Sequence, residues 1–184
     1  MQKRFELKML IVMALLTAIG AVFKAFISVD LFFGAMKISD LSLIALPVML
    51  AGIYYGPLAG GIVGFVSEMA SFFIMPVGGG YNPAFSAVMA VTGIIAGLFY
   101  LKSQKTGLWK TIIMVVVSEL ICTALLTTLL IHLFYGIPWV PLLIARGIAI
   151  LIKIPLLTIL VLAIADRLRP LLNNRSPAPV TQKQ

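Results

Sequence analysis

Hydrophobic positions dominate this chain in long runs, and polar residues gather in short clusters between them. Apolar stretches cover residues 9–27, 41–55, 58–74, 84–101, 111–134 and 142–165. Each is long enough, or nearly so, to cross the hydrocarbon core of a bilayer, which takes roughly 20 residues of helix. Gly56-Pro57 marks a tight turn between the second and third runs. The stretch 75–83 carries three glycines and two prolines, and 135–141 carries Gly136, Pro138 and Pro141, so neither continues a regular helix. Barrel strands show only about ten alternating residues each, shorter than these runs. The pattern predicts an all-α integral membrane protein, a six-transmembrane-helix bundle. Its membrane domain spans residues 1–169, and a polar tail at 170–184, with Pro177 and Pro179, is expected to be disordered.

Charge then orients the bundle. Six crossings put both termini on one side. Lys3, Arg4, Lys8, Lys102, Lys105, Lys110, Arg167, Arg169, Arg175 and Lys183 all fall on that side. They are ten of the 14 basic residues, so the N- and C-termini are predicted to be cytoplasmic. A five-span count would separate the two tails and spoil this bias. Three loops then face outward, around residues 28–40, 75–83 and 135–141. They are also the aromatic and Gly/Pro-rich loops, a concentration that suggests a ligand-binding mouth.

Composition agrees. The chain is 61% hydrophobic and 11% charged, where a soluble domain carries about 25% charge. A net charge of +8 would suggest nucleic acid in a soluble protein; here its placement fits topology and contact with anionic lipid, so no nucleic-acid partner is expected. One histidine (His132) and one cysteine (Cys122) exclude a histidine-cluster or thiolate metal site, so no metal or cofactor is predicted. No phosphate-cradling Gly-rich loop with its lysine is present, so the chain is not expected to hydrolyse ATP, and nothing marks it as an enzyme.

The remaining cations are Lys24, Lys37, Arg146 and Lys153, and Glu68 and Glu119 also lie within spans. Charges inside a span face the protein interior and find partners. Arg146 and Lys153 are seven residues apart and share a helix face, roughly 6 Å and 16 Å below the outer end. Glu68 and Glu119 lie roughly 15 Å and 12 Å from the inner end, so either could form a structural ion pair with Lys153. Arg146, near the mouth, is the candidate ligand contact. Lys24 has two readings, a ligand contact or a snorkel to the interface. The outward aromatics, among them Tyr81, Phe85 and Trp139, have two as well: an interfacial belt, or a stacking wall for a flat heterocycle. Gly79 and Asn82, in the same loop as Tyr81, join the candidate binding set. Ala14, Ala18 and Ala21 form a small-residue stripe on the first helix, for packing within the bundle or for docking a partner subunit.

Several segments carry a resemblance: Met36-Lys37-Ile38-Ser39, Leu46-Pro47, the Tyr55-Gly56-Pro57 turn running on to Gly60-Gly61 and Gly64, the loop Pro76 to Phe85, and Ala145-Arg146-Gly147. Together these resemble the substrate-binding S component of an energy-coupling factor (ECF) vitamin transporter, in its folate-type branch, over about residues 8–166. The resemblance implies a six-helix binding protein with a pocket under the outer loops. Its partners would be a transmembrane coupling subunit and two cytoplasmic ATPase subunits, the alanine stripe docking on the coupling subunit. Arg146 matches the family's basic residue at the start of the sixth helix, and Glu68 stands where the family usually has Asp. Lys24 replaces an arginine common in the folate branch, and Ala84 replaces a glycine. The ligand implied is a vitamin, folate first. Arg146 with Lys24 or Lys37 would neutralise its carboxylate, and Tyr81, Phe85 and Trp139 would enclose its ring. Another vitamin or precursor, such as pantothenate or a hydroxymethylpyrimidine, and a structural subunit that binds nothing, are the alternatives.

Overall fold

The computed structural model describes residues 2–33, 36–76, 80–101 and 107–172. The predicted tail beyond 172, Gly79, and the basic loop residues Lys102 and Lys105 lie outside them. The chain opens with helix α1 (Gln2–Phe26) and continues into a hairpin of β1 (Val29–Phe33) and β2 (Met36–Leu41). Helices α2 (Ala45–Tyr55), α3 (Pro57–Ile74), α4 (Pro83–Tyr100) and α5 (Leu108–Ser118) follow. A π-helical segment (Glu119–Thr127) then joins α5 to α6 (Thr128–Tyr135), and α7 (Trp139–Leu172) closes the described chain.

Five stretches among the described residues are long and apolar enough to cross a membrane: Leu7–Phe26, Pro57–Ile74, Pro83–Tyr100, Leu108–Tyr135 and Leu142–Ala165. The chain is a multi-pass membrane protein. The sixth element, α2, is different. Its 11 residues rise only roughly 16 Å, about half the hydrocarbon core. The apolar pattern began at Leu41, but Leu41 belongs to β2 and the helix starts at Ala45. The stretch expected as the first outward loop is a hairpin, paired antiparallel from Val29 opposite Leu41 to Phe33 opposite Met36, with an irregularity at Leu31/Phe32.

α2 lies at the centre, with Ala45 through Tyr54 all buried and α1, α3, α4 and α7 packed around it. One core joins Leu46, Met49, Leu50 and Ile53 to Ala96, Met114, Val115, Leu157 and Val161. A second joins Ile44, Val48 and Ala51 to Met13, Ala59 and Val63. The Tyr54 hydroxyl donates to the Ala165 carbonyl at 2.5 Å and ties α2 to the far part of α7. Gly56, at φ +92°, makes the reversal into α3 that a side chain would resist. α3 and α4 then approach so closely that a Cβ on Gly93 would stand 2.1 Å from the Gly60 carbonyl oxygen.

Candidate functional site

The buried polar side chains concentrate beyond the outer end of α2. Pro47, in the first turn of α2, meets Gly20 of α1, which also touches Ser67 of α3. Glu68 follows Ser67, and Lys24 lies one turn beyond Gly20, so both stand at or outward of the level where α2 begins. On the opposite side Val115 and Leu157 pack at the depth of α2; Glu119 and Lys153 are each one turn further out. α2 thus fills the inner half of the bundle axis with apolar side chains, and charged groups ring the outer half.

The ion pairs divide between these two sides. Glu119 Oε2 lies 3.9 Å from Lys153 Nζ. Glu68 pairs with Lys24 through Oε1, so Lys24 turns inward rather than snorkelling to the interface. Lys37 is in β2, opposite Phe32 in the hairpin register; its side chain lies outside the described set.

Arg146 is 3% exposed on the second turn of the described membrane stretch of α7. Its Nη1 donates to the Thr123 carbonyl at 2.6 Å. That carbonyl belongs to the π segment, whose wider turn shifts backbone pairing from i→i−4 to i→i−5. Two threonine hydroxyls follow the same offset: Thr127 Oγ1 donates to the Cys122 carbonyl at 2.7 Å, and Thr128 Oγ1 to that of Thr123 at 3.4 Å. The Thr123 hydroxyl donates to Glu119 Oε2 at 2.8 Å. One residue therefore touches both Arg146 and the acid that pairs with Lys153.

One turn outward of Arg146, Leu142 forms a small cluster with Ile131, Phe85 and Ile137. Above it, Trp139 contacts His132 with ring centroids 4.8 Å apart, and His132 Nδ1 bonds the Ile137 carbonyl at 2.9 Å. Arg146, Phe85 and Trp139 thus gather around the outer ends of α4, α6 and α7. Tyr81 is held differently. Its ring stacks on Phe73 (6.0 Å) and leans on Phe72 (5.6 Å), and its hydroxyl bonds Ser86 at 2.9 Å. Asn82 caps α4, its side-chain oxygen accepting from the Ala84 amide at 3.0 Å, so that oxygen is already engaged in structure.

The family model for the substrate-specific component of ECF transporters matches residues 8–165. The chain belongs to this family. It is 25% identical over 146 residues to the folate transporter FolT of Clostridium novyi (strain NT), across 79% of this chain and 76% of that one. Its fold matches the crystal structure of FolT bound with folic acid at a TM-score of 0.73 and 24% identity, covering 86% of this chain and 92% of that one. It also matches an S component of a bacterial ECF transporter at a TM-score of 0.63 and 21% identity, covering 91% and 98%. At these identities the two solved structures establish the shared fold.

Within this S component the alanine stripe splits. Ala14 and Ala18 are exposed on α1, but Ala21 is buried at 2% exposure. The helical spacing alone put all three on one strip; the strip enters the protein's own packing in the outer part of α1, so Ala21 is not available to a partner. Sequence reasoning missed the π segment, the Thr123 carbonyl, and the contacts of Phe72, Phe73 and Ser86 with Tyr81. The Thr127-Thr128 pair was the one available signal for the first, since hydroxyls can satisfy carbonyls that a π turn leaves poorly paired.

Proposed function

We propose that this S component captures folate from the outer side of the membrane. The vitamin would be held beyond the end of α2, under the hairpin and the loops that lead into α4 and α7. The observation that carries the reading is Arg146: a guanidinium 3% exposed, one turn beneath an apolar and aromatic cluster, at the outer end of a membrane bundle. A site of this kind, mostly apolar with a few convergent polar groups, suits a ligand with a flat ring and an anionic tail. Arg146 supplies the planar fork that matches a carboxylate, and Phe85 and Trp139 supply ring surface. The likeness to a folate transporter and to FolT bound with folic acid supports folate over other vitamins.

Family membership supports the same reading of delivery: the S component would work with a transmembrane coupling subunit and two cytoplasmic ATPase subunits that supply the energy. Ala14 and Ala18, exposed and small, give α1 a flat strip against which a partner helix can pack.

Calorimetric titration of the purified protein in detergent with folic acid, pantothenate and a hydroxymethylpyrimidine tests the substrate. Folic acid is expected to bind at least 100-fold more tightly than the other two. Tighter binding of either of those, or binding of none, refutes the assignment.

A further inference from the structure

The last two spans both lose regular α-helical bonding at one level of the membrane. On the fifth span the π segment begins at Glu119, which pairs with Lys153 of the sixth. On the sixth, Pro155 stands two residues inward of Lys153, roughly 3 Å along α7 and well inside that helix. A proline there removes one i→i−4 bond, the one to the Leu151 carbonyl, and its ring crowds that carbonyl. Sharp helix bends occur at prolines and at π turns, and here one of each lies side by side. By contrast, α1 has no proline, and α3 and α4 have theirs only at the first residue.

Packing divides at the same level. Inward of it, Val115, Leu157, Val161 and Ala165 belong to the large core around α2, and the Tyr54 hydroxyl holds the Ala165 carbonyl. Outward of it, Ile131 of α6 and Leu142 of α7 form their own cluster with Ile137, and α4 contributes Phe85. Along the seam, Ser118 Oγ, beside Glu119, and Thr158 Oγ1, just over a turn inward of Lys153, are buried without a hydrogen-bond partner among the described residues. Each such hydroxyl costs stability, so the structure is held least firmly here. Beyond the seam α6 and α7 are tied to each other: Gly136 turns the chain at φ +65°, His132 bonds the Ile137 carbonyl, and the His132 and Trp139 rings touch.

We propose that α6 and the outer part of α7, from Trp139 to Ile154, form one helical lid, hinged at the π segment and Pro155. The lid swings away from α4 to admit the ligand and closes over it. It carries Trp139, Leu142 and Arg146, and α4 presents Phe85 as the facing wall. The Thr123 carbonyl, inside the hinge, holds the Arg146 guanidinium in the closed arrangement. Both hinge elements absorb backbone change over a few residues, which a regular helix resists. This rests on the reading of the outer half as the ligand site.

The test measures two distances by double electron–electron resonance in the full chain, in a Cys122→Ser background. An outer pair of spin labels replaces Val22 on α1 and Leu133 on α6, and an inner pair replaces Leu58 on α3 and Ile159 on α7; all four positions are exposed. A swing of about 20° would move Leu142, roughly 20 Å from Pro155, by about 7 Å. Without ligand, the outer pair is expected to give a distance distribution at least about twice as wide as the inner pair, and folic acid is expected to narrow it and shift its mean by at least about 3 Å, with the inner pair moving by less than about 1 Å. An outer distribution as narrow as the inner one, and unmoved by bound folic acid, overturns the hinge. So does an equal shift in both pairs, for the spans would then move as whole rods. Folic acid that fails to bind refutes the folate reading instead, and the widths of the two ligand-free distributions still decide the hinge.

Discussion

Breaking the Glu119–Lys153 pair tests whether the mid-membrane charges hold the fold. The two groups are 3.9 Å apart and are 3% and 7% exposed. At that distance the attraction is roughly 4 kcal/mol for an effective dielectric of 20. The separation is too long for a direct hydrogen bond, so the pair acts by charge, and the Thr123 hydroxyl at 2.8 Å supplies the directional contact to Glu119. Lys153→Met leaves an uncompensated buried carboxylate and is expected to cost about 3–5 kcal/mol. Glu119→Gln leaves an uncompensated ammonium at similar cost. The double variant removes both charges and keeps an amide oxygen for Thr123. It should be more stable than the sum of the singles predicts by about 2–3 kcal/mol, the upper part of the range for contacting residues. Reversible unfolding of the four proteins in mixed micelles, followed by circular dichroism, measures that coupling. Additive losses, with a coupling below roughly 0.5 kcal/mol, would refute the reasoning, for they would mean that each charge is already solvated or otherwise compensated.

Three further outcomes follow. Arg146→Ala should weaken folic acid binding by about 10- to 100-fold, the value of one charge-assisted contact, while the variant keeps its helical circular dichroism; unchanged affinity removes Arg146 from the site. Gly93→Leu should prevent α3 and α4 from meeting, since even a Cβ would stand 2.1 Å from the Gly60 carbonyl, and the purified yield and thermal midpoint should fall sharply; near-wild-type stability would contradict this packing. Replacing both Ala14 and Ala18 by Trp should abolish co-purification with the coupling subunit and leave folic acid affinity within about threefold, because both positions are exposed; lost affinity in the isolated variant would mean the strip packs inside the bundle instead.

The six helices were legible because lipid leaves the backbone so few choices. A run of apolar residues must close its own hydrogen bonds, so hydropathy and the Gly56-Pro57 turn located α3 and α4 to within a residue or two. The second helix was overextended, because Leu41 is as apolar as Leu46 and hydropathy cannot separate a strand end from a helix start. The partners of the charged residues were only half legible. Depth along the helix brought Lys153 level with both glutamates, and rotation decided between them: Lys153 shares α7 with Leu157, which faces α5, so Glu119 is within reach and Glu68 pairs elsewhere. The stacking partners of Tyr81 come from α3, which precedes it by a loop, and nothing in a linear pattern pairs those rings.

The short central helix gives the proposed ligand its place in the bundle. Six full-length helices would pack their axes with side chains through the whole membrane. Here α2 fills only the inner half, and its core contacts, from Ile44 to Ile53, are entirely apolar. The hairpin takes up the residues that would otherwise have completed the helix, and β2 lies against α7. Beyond that level the long helices still surround the axis, and the groups they bury there include Glu68, Glu119, Arg146 and Lys153 beside the small apolar cluster of Leu142 and Ile131. Burying such groups costs free energy that apolar residues would save. Their concentration in that half suits the proposed capture of a charged, ring-bearing solute, while the inner half stays packed with apolar side chains.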